Sequence, residues 1–311
     1  MSRQQIREAE SRWALPVAVA TFLAAALLVV STFASTVGGT EKYEVLESVH
    51  EHGGSVVTFG LMQAVALVLF VFPIVYLFRA ARARSERVRP QLIGLLIAAP
   101  LFLGISAGLA IGVQKEAANQ FVAGGAKSTL SQKEAHEECA SEQKEEGRKK
   151  FGEEFEPEAG KTSLAVCEQT KRKNDEASSA LREASLAPIA TGLAIAGSLG
   201  FVVSLFYSCL WAMRTGLLTR FWGSLGMAAG IAFLLGPLSI VAVLWFVYFG
   251  LLILGLVPGG RPPAWEAGEA VPWPSPGEKA AAELEPGEAD EGGDGDDGDE
   301  PPEKRKRKQR E

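Results

Sequence analysis

Residues 221–257 read FWGSLGMAAGIAFLLGPLSIVAVLWFVYFGLLILGLV, 37 residues without a single charge. A helix at a water-soluble surface needs a polar face as well as a buried one, and this run has none. As one helix it would be about 55 Å long at 1.5 Å per residue, nearly twice the roughly 30 Å of a bilayer core. Gly236-Pro237 stands near its middle. Proline removes a backbone donor and breaks a helix. The run therefore predicts two helices, about 221–236 and 239–257, joined by a tight hairpin.

Four further blocks, 13–35, 55–78, 91–113 and 187–213, are also free of charge, and each reaches the length of about 20 residues that crosses a bilayer. Apolar residues make up 47% of the 311-residue chain. They are segregated into these blocks, where a soluble domain would mix them with charge. The fold class read from this pattern is all-α, a polytopic transmembrane helix bundle of about six helices. It divides into 1–113 with the first three spans, a charged segment 114–186, 187–257 with the last three spans, and a tail 258–311. The first block follows a polar start with Arg3, Arg7 and Arg12 and ends on a weak Thr32-Phe33-Ala34 signal-like site. Its apolar run is longer than the 7–15 residues of a signal core, so it reads as an uncleaved span.

Orientation follows from Lys and Arg in short loops, which stay in the cytoplasm. The N-terminus carries three arginines, the loop after the second span carries Arg79, Arg82, Arg84, Arg87 and Arg89, and 214–220 carries two. The opposite side has only Lys42 in its first short loop. Six spans place every basic segment on one side. Both termini are then cytoplasmic, 114–186 is extracytoplasmic, and the chain is a multi-pass protein of the cell membrane. The five arginines read first as topology determinants and second as contacts to anionic headgroups, each worth about 1 kcal/mol.

Helices in lipid associate through close packing at small residues. Gly104, Gly108 and Gly112 form a stripe on the third span, Ala196, Gly200, Ser204 and Ser208 one on the fourth, and Gly226 and Gly230 stand on the fifth. The third and fourth stripes predict a tight contact inside one monomer. A homo-oligomer face is the alternative, and a pore lining the third reading. Pro16, Pro73 and Pro100 within spans predict kinks and carry no function.

The segment 114–186 holds 15 acidic and 12 basic residues and too few large apolar ones for a sizeable core. Ser131-Gln132-Lys133-Glu134 fits a capping box, which predicts a helix to about Lys150. Gly152, Pro157 and Gly160 mark a turn, and a second helix runs from about Ser163. Cys139 and Cys167 fall one on each helix of this hairpin. An oxidising compartment makes them a disulfide candidate. Cys209, inside the fourth span, reads as a small packed residue.

Ionisable groups inside a bilayer mark ion and proton pathways, and none of the six spans contains one. Their most polar interior residues include Thr58, Gln63 and Ser106. Proton-coupled transport and intramembrane proteolysis by charged groups are thereby disfavoured, and no enzyme is expected. Glu44, Glu47, His50 and His52 form the one metal-like group, and Glu47 and His50 share a helix face. Di-metal sites need further glutamates on facing helices, so these four read as a solvated loop. No cofactor, metal or nucleic acid is expected. The net charge of −6 sits mainly in the loop and tail.

After Val257 the chain carries Arg261-Pro262-Pro263-Ala264-Trp265 and Pro272-Trp273-Pro274, too irregular for helix and with tryptophans suited to the headgroup level. Over Leu210 to Ser275 this stretch, with its preceding Gly-rich apolar helix pair, resembles uncharacterised multispanning membrane proteins of actinobacteria. The resemblance implies membrane placement and no activity. Residues 278–303 hold 12 acids and one lysine, followed by KRKRKQR. Such charge segregation predicts a disordered cytoplasmic tail. The function expected is non-enzymatic sensing, docking or scaffolding in the lipid bilayer, with a protein partner for the hairpin or tail. The alternative is a channel or uncoupled carrier for a small neutral solute.

Overall fold

The structure is a computed structural model that describes residues 2–34, 38–151, 161–234 and 239–273. Among the described residues the chain is helical and holds no strand. Its helices are α1 (Arg3–Phe33), α2 (Lys42–Glu51), α3 (Gly53–Leu69), α4 (Val71–Arg84), α5 (Ile93–Val122), α6 (Gln132–Phe151), α7 (Lys161–Glu183), α8 (Ala187–Arg214), α9 (Arg220–Leu234), α10 (Ser239–Leu254) and α11 (Pro263–Ala267). Four units are long and apolar enough to cross a membrane: α1, α3 with α4, α5 with its leading turn, and α8. Helices α9 and α10 are shorter, at 15 and 16 residues. The hairpin expected at Gly236-Pro237 and the turn expected at Gly152, Pro157 and Gly160 fall outside the described residues.

The second span is bent. Helix α3 stops at Leu69 and α4 starts at Val71, because Pro73 has no N–H to give the Leu69 carbonyl. The bend seats Phe70, which is almost fully buried, face to face with Phe246 at 4.2 Å between ring centroids. Pro16 and Pro100 lie inside α1 and α5, which continue through them.

Helices α8, α9 and α10 run alternately. Along α9, Gly223 meets Met213, Gly226 meets Cys209 and Gly230 meets Leu205 of α8, so α9 descends as α8 ascends. Helix α10 reverses again: the Trp245 indole donates to the Trp222 carbonyl at 2.8 Å, and Tyr248 stacks on Trp222. Gly250 of α10 packs on Phe22 of α1, which closes the bundle.

One large core fills the bundle, from Ala14 of α1 through Phe70, Phe78, Phe201 and Trp245 to Trp265. A second, small core lies at the opposite end and joins Leu46 and Val49 of α2, Val56 of α3, Ala117 and Ala118 of α5, and Ala177 and Ala180 of α7. The end carrying Arg3, Arg84, Arg214 and Arg220 is called the basic end below, and the other the hairpin end.

Candidate functional site

The hairpin end is a built module. Ser131 and Glu134 form the expected capping box, with Ser131 N–H donating to Glu134 Oε2 at 2.9 Å and Glu134 N–H to Ser131 Oγ at 3.2 Å. Cys139 and Cys167 are joined as a disulfide, with 6.0 Å between their Cα atoms. Lys171 of α7 donates to Glu138 Oε2 at 3.0 Å and Glu142 Oε1 at 2.8 Å of α6. Burial works against its charge, but the Glu142 and Glu138 carboxylates outweigh that and hold its pKa above the ordinary lysine value. His136 and Glu168 add a 2.6 Å contact between the two helices.

Asp175 ties the approach loop to α7. Its Oδ2 accepts from the backbone N–H of Thr129 at 2.6 Å and of Leu130 at 2.9 Å, and from the hydroxyls of Ser128 and Thr129 at 2.9 and 3.0 Å. Burial raises its pKa, but the Leu130 N–H, the Ser128 hydroxyl and Thr129 prevail and hold the carboxyl below the ordinary aspartate range. Asn174 hydrogen-bonds Glu41, Lys42 reaches the Ser178 hydroxyl at 2.9 Å, and the Glu116 carboxylate accepts from Ser185 N–H and hydroxyl at 3.1 and 2.8 Å. The hairpin is thus fastened to α2 and to the end of α5, and α7 passes into α8 through residues 184–186.

Two expectations are corrected here. The stretch carrying Glu44, Glu47, His50 and His52 is more than a solvated loop, because 42–51 is helix α2 with Leu46 and Val49 buried. Segment 114–186 builds no sizeable core, as expected, but Ala117, Ala118, Ala177 and Ala180 form an interface in the small one, and α5 runs to Val122 rather than ending at 113. Alanine is apolar yet too small to stand out in a charged sequence, so this interface carried no visible signal. The metal-like group is dispersed: Glu44 caps Thr40 and Glu41 N–H at 2.9 and 3.3 Å, Glu47 lies 3.9 Å from Lys173, His50 contacts Asn119 and His52 contacts the Ser48 carbonyl.

The basic end is latched. Arg84 and Glu10 pair through both terminal guanidinium nitrogens and both carboxylate oxygens, with the Arg84 side chain fully buried. Arg84 Nε donates to the Ala264 carbonyl at 3.0 Å, and its guanidinium lies over the Trp265 ring at 5.5 Å. The indoles of Trp265 and Trp273 donate to the carbonyls of Leu217 and Leu218, both at 2.9 Å. Arg3 pairs with Glu269, and Val271 N–H donates to Thr215 O at 3.1 Å. Residues 258–273 are therefore folded against α1, α4 and the 215–219 elbow. This corrects the tail boundary and the irregular reading of 263–267, and the Trp265 side chain is buried within the protein. The tail from 274 onward lies outside the described residues. Arg84 is likewise no headgroup contact. Among the described residues Arg79, Arg82 and Arg87 are exposed and make no ion pair, and Arg89 is exposed with its backbone N–H on Tyr207.

The small residues divide. The closest approach of α5 and α8 uses Gly197 and Gly200: a Cβ on Gly197 would stand 2.9 Å from Leu103 N and 3.1 Å from Ala99 O, and one on Gly200 2.8 Å from Ala99 Cβ. Ser106 adds a hydrogen bond to the Ala190 carbonyl at 2.8 Å. The α5 glycines do not share this seam. Gly104 faces Ala64 and Val68 of α3, Gly108 has nothing within 4 Å, and Gly112 would meet Leu186 at 3.5 Å. On α9, Gly226 is pressed between Cys209 and the Trp245 ring.

Between α1, α3, α5, α9 and α10 lies a cleft of about 590 Å³, whose polar lining is Thr32, Gln63 and Ser106 amid residues such as Leu67, Leu103 and Phe233. Among the described residues Gln63 makes no hydrogen bond. The cleft contains no ionisable side chain.

No protein-family model, no curated protein and no solved structure matches this chain.

Proposed function

We propose that the chain is a non-enzymatic, six-crossing protein of the cell membrane whose disulfide-closed hairpin is an external docking or sensing element. In this reading α9 and α10 are the fifth and sixth crossings. At about 1.5 Å per residue they are shorter than the core, a mismatch that membranes absorb by local thinning. The clustering of arginines at one end supports a cytoplasmic basic end. Thiol labelling of intact cells tests the orientation: Cys139 and Cys167 react from outside only after reduction, and labelling confined to lysed cells inverts it.

The observation that carries the docking role is the mechanical continuity of the hairpin with the spans. A disulfide and charged contacts stiffen α6 against α7. Helix α7 packs on α5 and enters α8, and α5 and α8 form a close-packed pair at Gly197 and Gly200. A load on the hairpin therefore falls on that pair, while the exposed Val166 and Glu137 remain accessible. Photo-crosslinkers at Glu137, Ser141 and Val166 in intact cells should give a discrete, position-dependent protein adduct that Cys139→Ser abolishes. Absence of any adduct from all three positions refutes the role.

A second reading is an uncoupled carrier or channel for a small neutral solute. It rests on the cleft around Gln63, where a carboxamide offers donor and acceptor and no charge is present. Flux into liposomes tests it, and Gln63→Leu should slow any flux observed. No movement of small neutral solutes removes the reading.

A further inference from the structure

A second cleft, of about 370 Å³, lies near the basic end, between α1 and α4 with Ile97 of α5 at its edge. Its size is within the range of about 300–1,000 Å³ typical of ligand clefts. Its walls are apolar, notably Trp13, Val17, Phe72 and Val75, and Trp13 and Phe72 are 55% and 45% exposed. Such faces belong in hydrocarbon.

The charges around the cleft do not balance. Glu10 contributes to the wall, but both of its carboxylate oxygens are held by Arg84. Tyr76, also in the wall, donates its hydroxyl to the Glu10 carbonyl at 3.1 Å. Arg79 lines the cleft and, among the described residues, has no carboxylate or carbonyl acceptor. One turn on, Arg82 is exposed and likewise without an acceptor. Arg79 is seven residues from Phe72 along α4, so their Cα atoms are about 10 Å apart along the helix at 1.5 Å per residue. This is a groove with one uncompensated, planar cation at its mouth and hydrocarbon below it. Guanidinium pairs bidentately with phosphate, and an indole such as Trp13 suits the headgroup level.

We propose that this cleft seats one acyl chain of an anionic phospholipid whose phosphate pairs with Arg79. Charge complementarity selects the occupant: a zwitterionic headgroup brings its own cation beside Arg79 and Arg82, whereas an anionic one does not. The Glu10–Arg84 pair is part of the arrangement, because an unpaired Glu10 in the same wall would repel the phosphate.

The detergent-purified full chain is titrated with phosphatidylglycerol and with phosphatidylcholine of identical acyl chains, and retained lipid is read by native mass spectrometry. Phosphatidylglycerol should be retained in preference. Arg79→Gln should weaken it about fivefold, the worth of one arginine contact to anionic lipid, and Arg87→Gln, away from the cleft, should leave it unchanged. Ala83→Trp, at an exposed lining position, should reduce retention of both lipids by blocking the groove. Equal retention of the two lipids, equal loss in Arg79→Gln and Arg87→Gln, or full retention by Ala83→Trp would overturn the proposal. Displacement of the lipid by millimolar inorganic phosphate would also overturn it, since the site would then be one for a free anion.

Discussion

Arg84 and Glu10, 74 residues apart in sequence, are joined by two hydrogen bonds that fasten α4 to α1, and the guanidinium is out of contact with solvent. The same guanidinium holds the Ala264 carbonyl and covers Trp265, so one side chain organises three segments of the basic end.

Removing either partner strands a buried charge. Arg84→Met or Glu10→Leu should each destabilise the protein by roughly 3–5 kcal/mol, whereas the two together should recover much of the loss. Thermal unfolding in detergent, run as a double-mutant cycle, measures the coupling. Equal losses in both singles and the double would instead indicate that the residues act as a unit without charge stranding.

Glycines on α9 and α5 should respond differently. A Cβ at Gly226 would lie 2.5 Å from Cys209 Sγ and 2.7 Å from the Trp245 ring, and a ring cannot step aside as a flexible chain end can. Gly226→Ala should lower the melting temperature. Gly108 has nothing within 4 Å, so Gly108→Ala should be neutral or stabilising by up to about 1 kcal/mol through helix propensity alone.

The disulfide closes a loop with a sequence separation of 28, worth about 3–4 kcal/mol on the chain-entropy estimate. Amide hydrogen exchange should report faster opening of α6 and α7 in Cys139→Ser or under reductant. Exchange within α8 and α10 should change far less, because their core does not include the bridge.

Asp175 makes the hairpin end acid-sensitive. Its carboxyl is held below the ordinary value of 3.8 by the hydrogen bonds it accepts. A lowered pKa in the folded state contributes stability that is present above the unfolded value and lost as pH falls through the folded one. Exchange at Thr129 and Leu130 should therefore rise as pH drops below about 4, after correction for intrinsic rates. Asp175→Asn should exchange faster already at neutral pH and lose this pH dependence.

Charge segregation by itself determined the membrane bundle, since hydrocarbon tolerates no unpaired charge and every long block of the sequence obeys that rule. Local signals were equally legible: Ser131 and Glu134 announced a helix start, and Cys139 and Cys167 fell on facing helices. What the sequence did not distinguish were identical residues with different surroundings. Arg79 and Arg84 stand five positions apart in one basic cluster, yet Arg84 is buried against Glu10 while Arg79 lines an apolar cleft. Gly104, Gly108 and Gly112 share one stripe and meet α3, nothing, and Leu186. These fates depend on where α1, α3 and α11 lie around the helix, and that is settled by packing between residues far apart in the chain. The folded stretch 258–273 has the same origin. Its irregular, Pro- and Gly-rich sequence encodes little regular structure, and its order comes from Trp265 and Trp273 reaching the backbone carbonyls of Leu217 and Leu218.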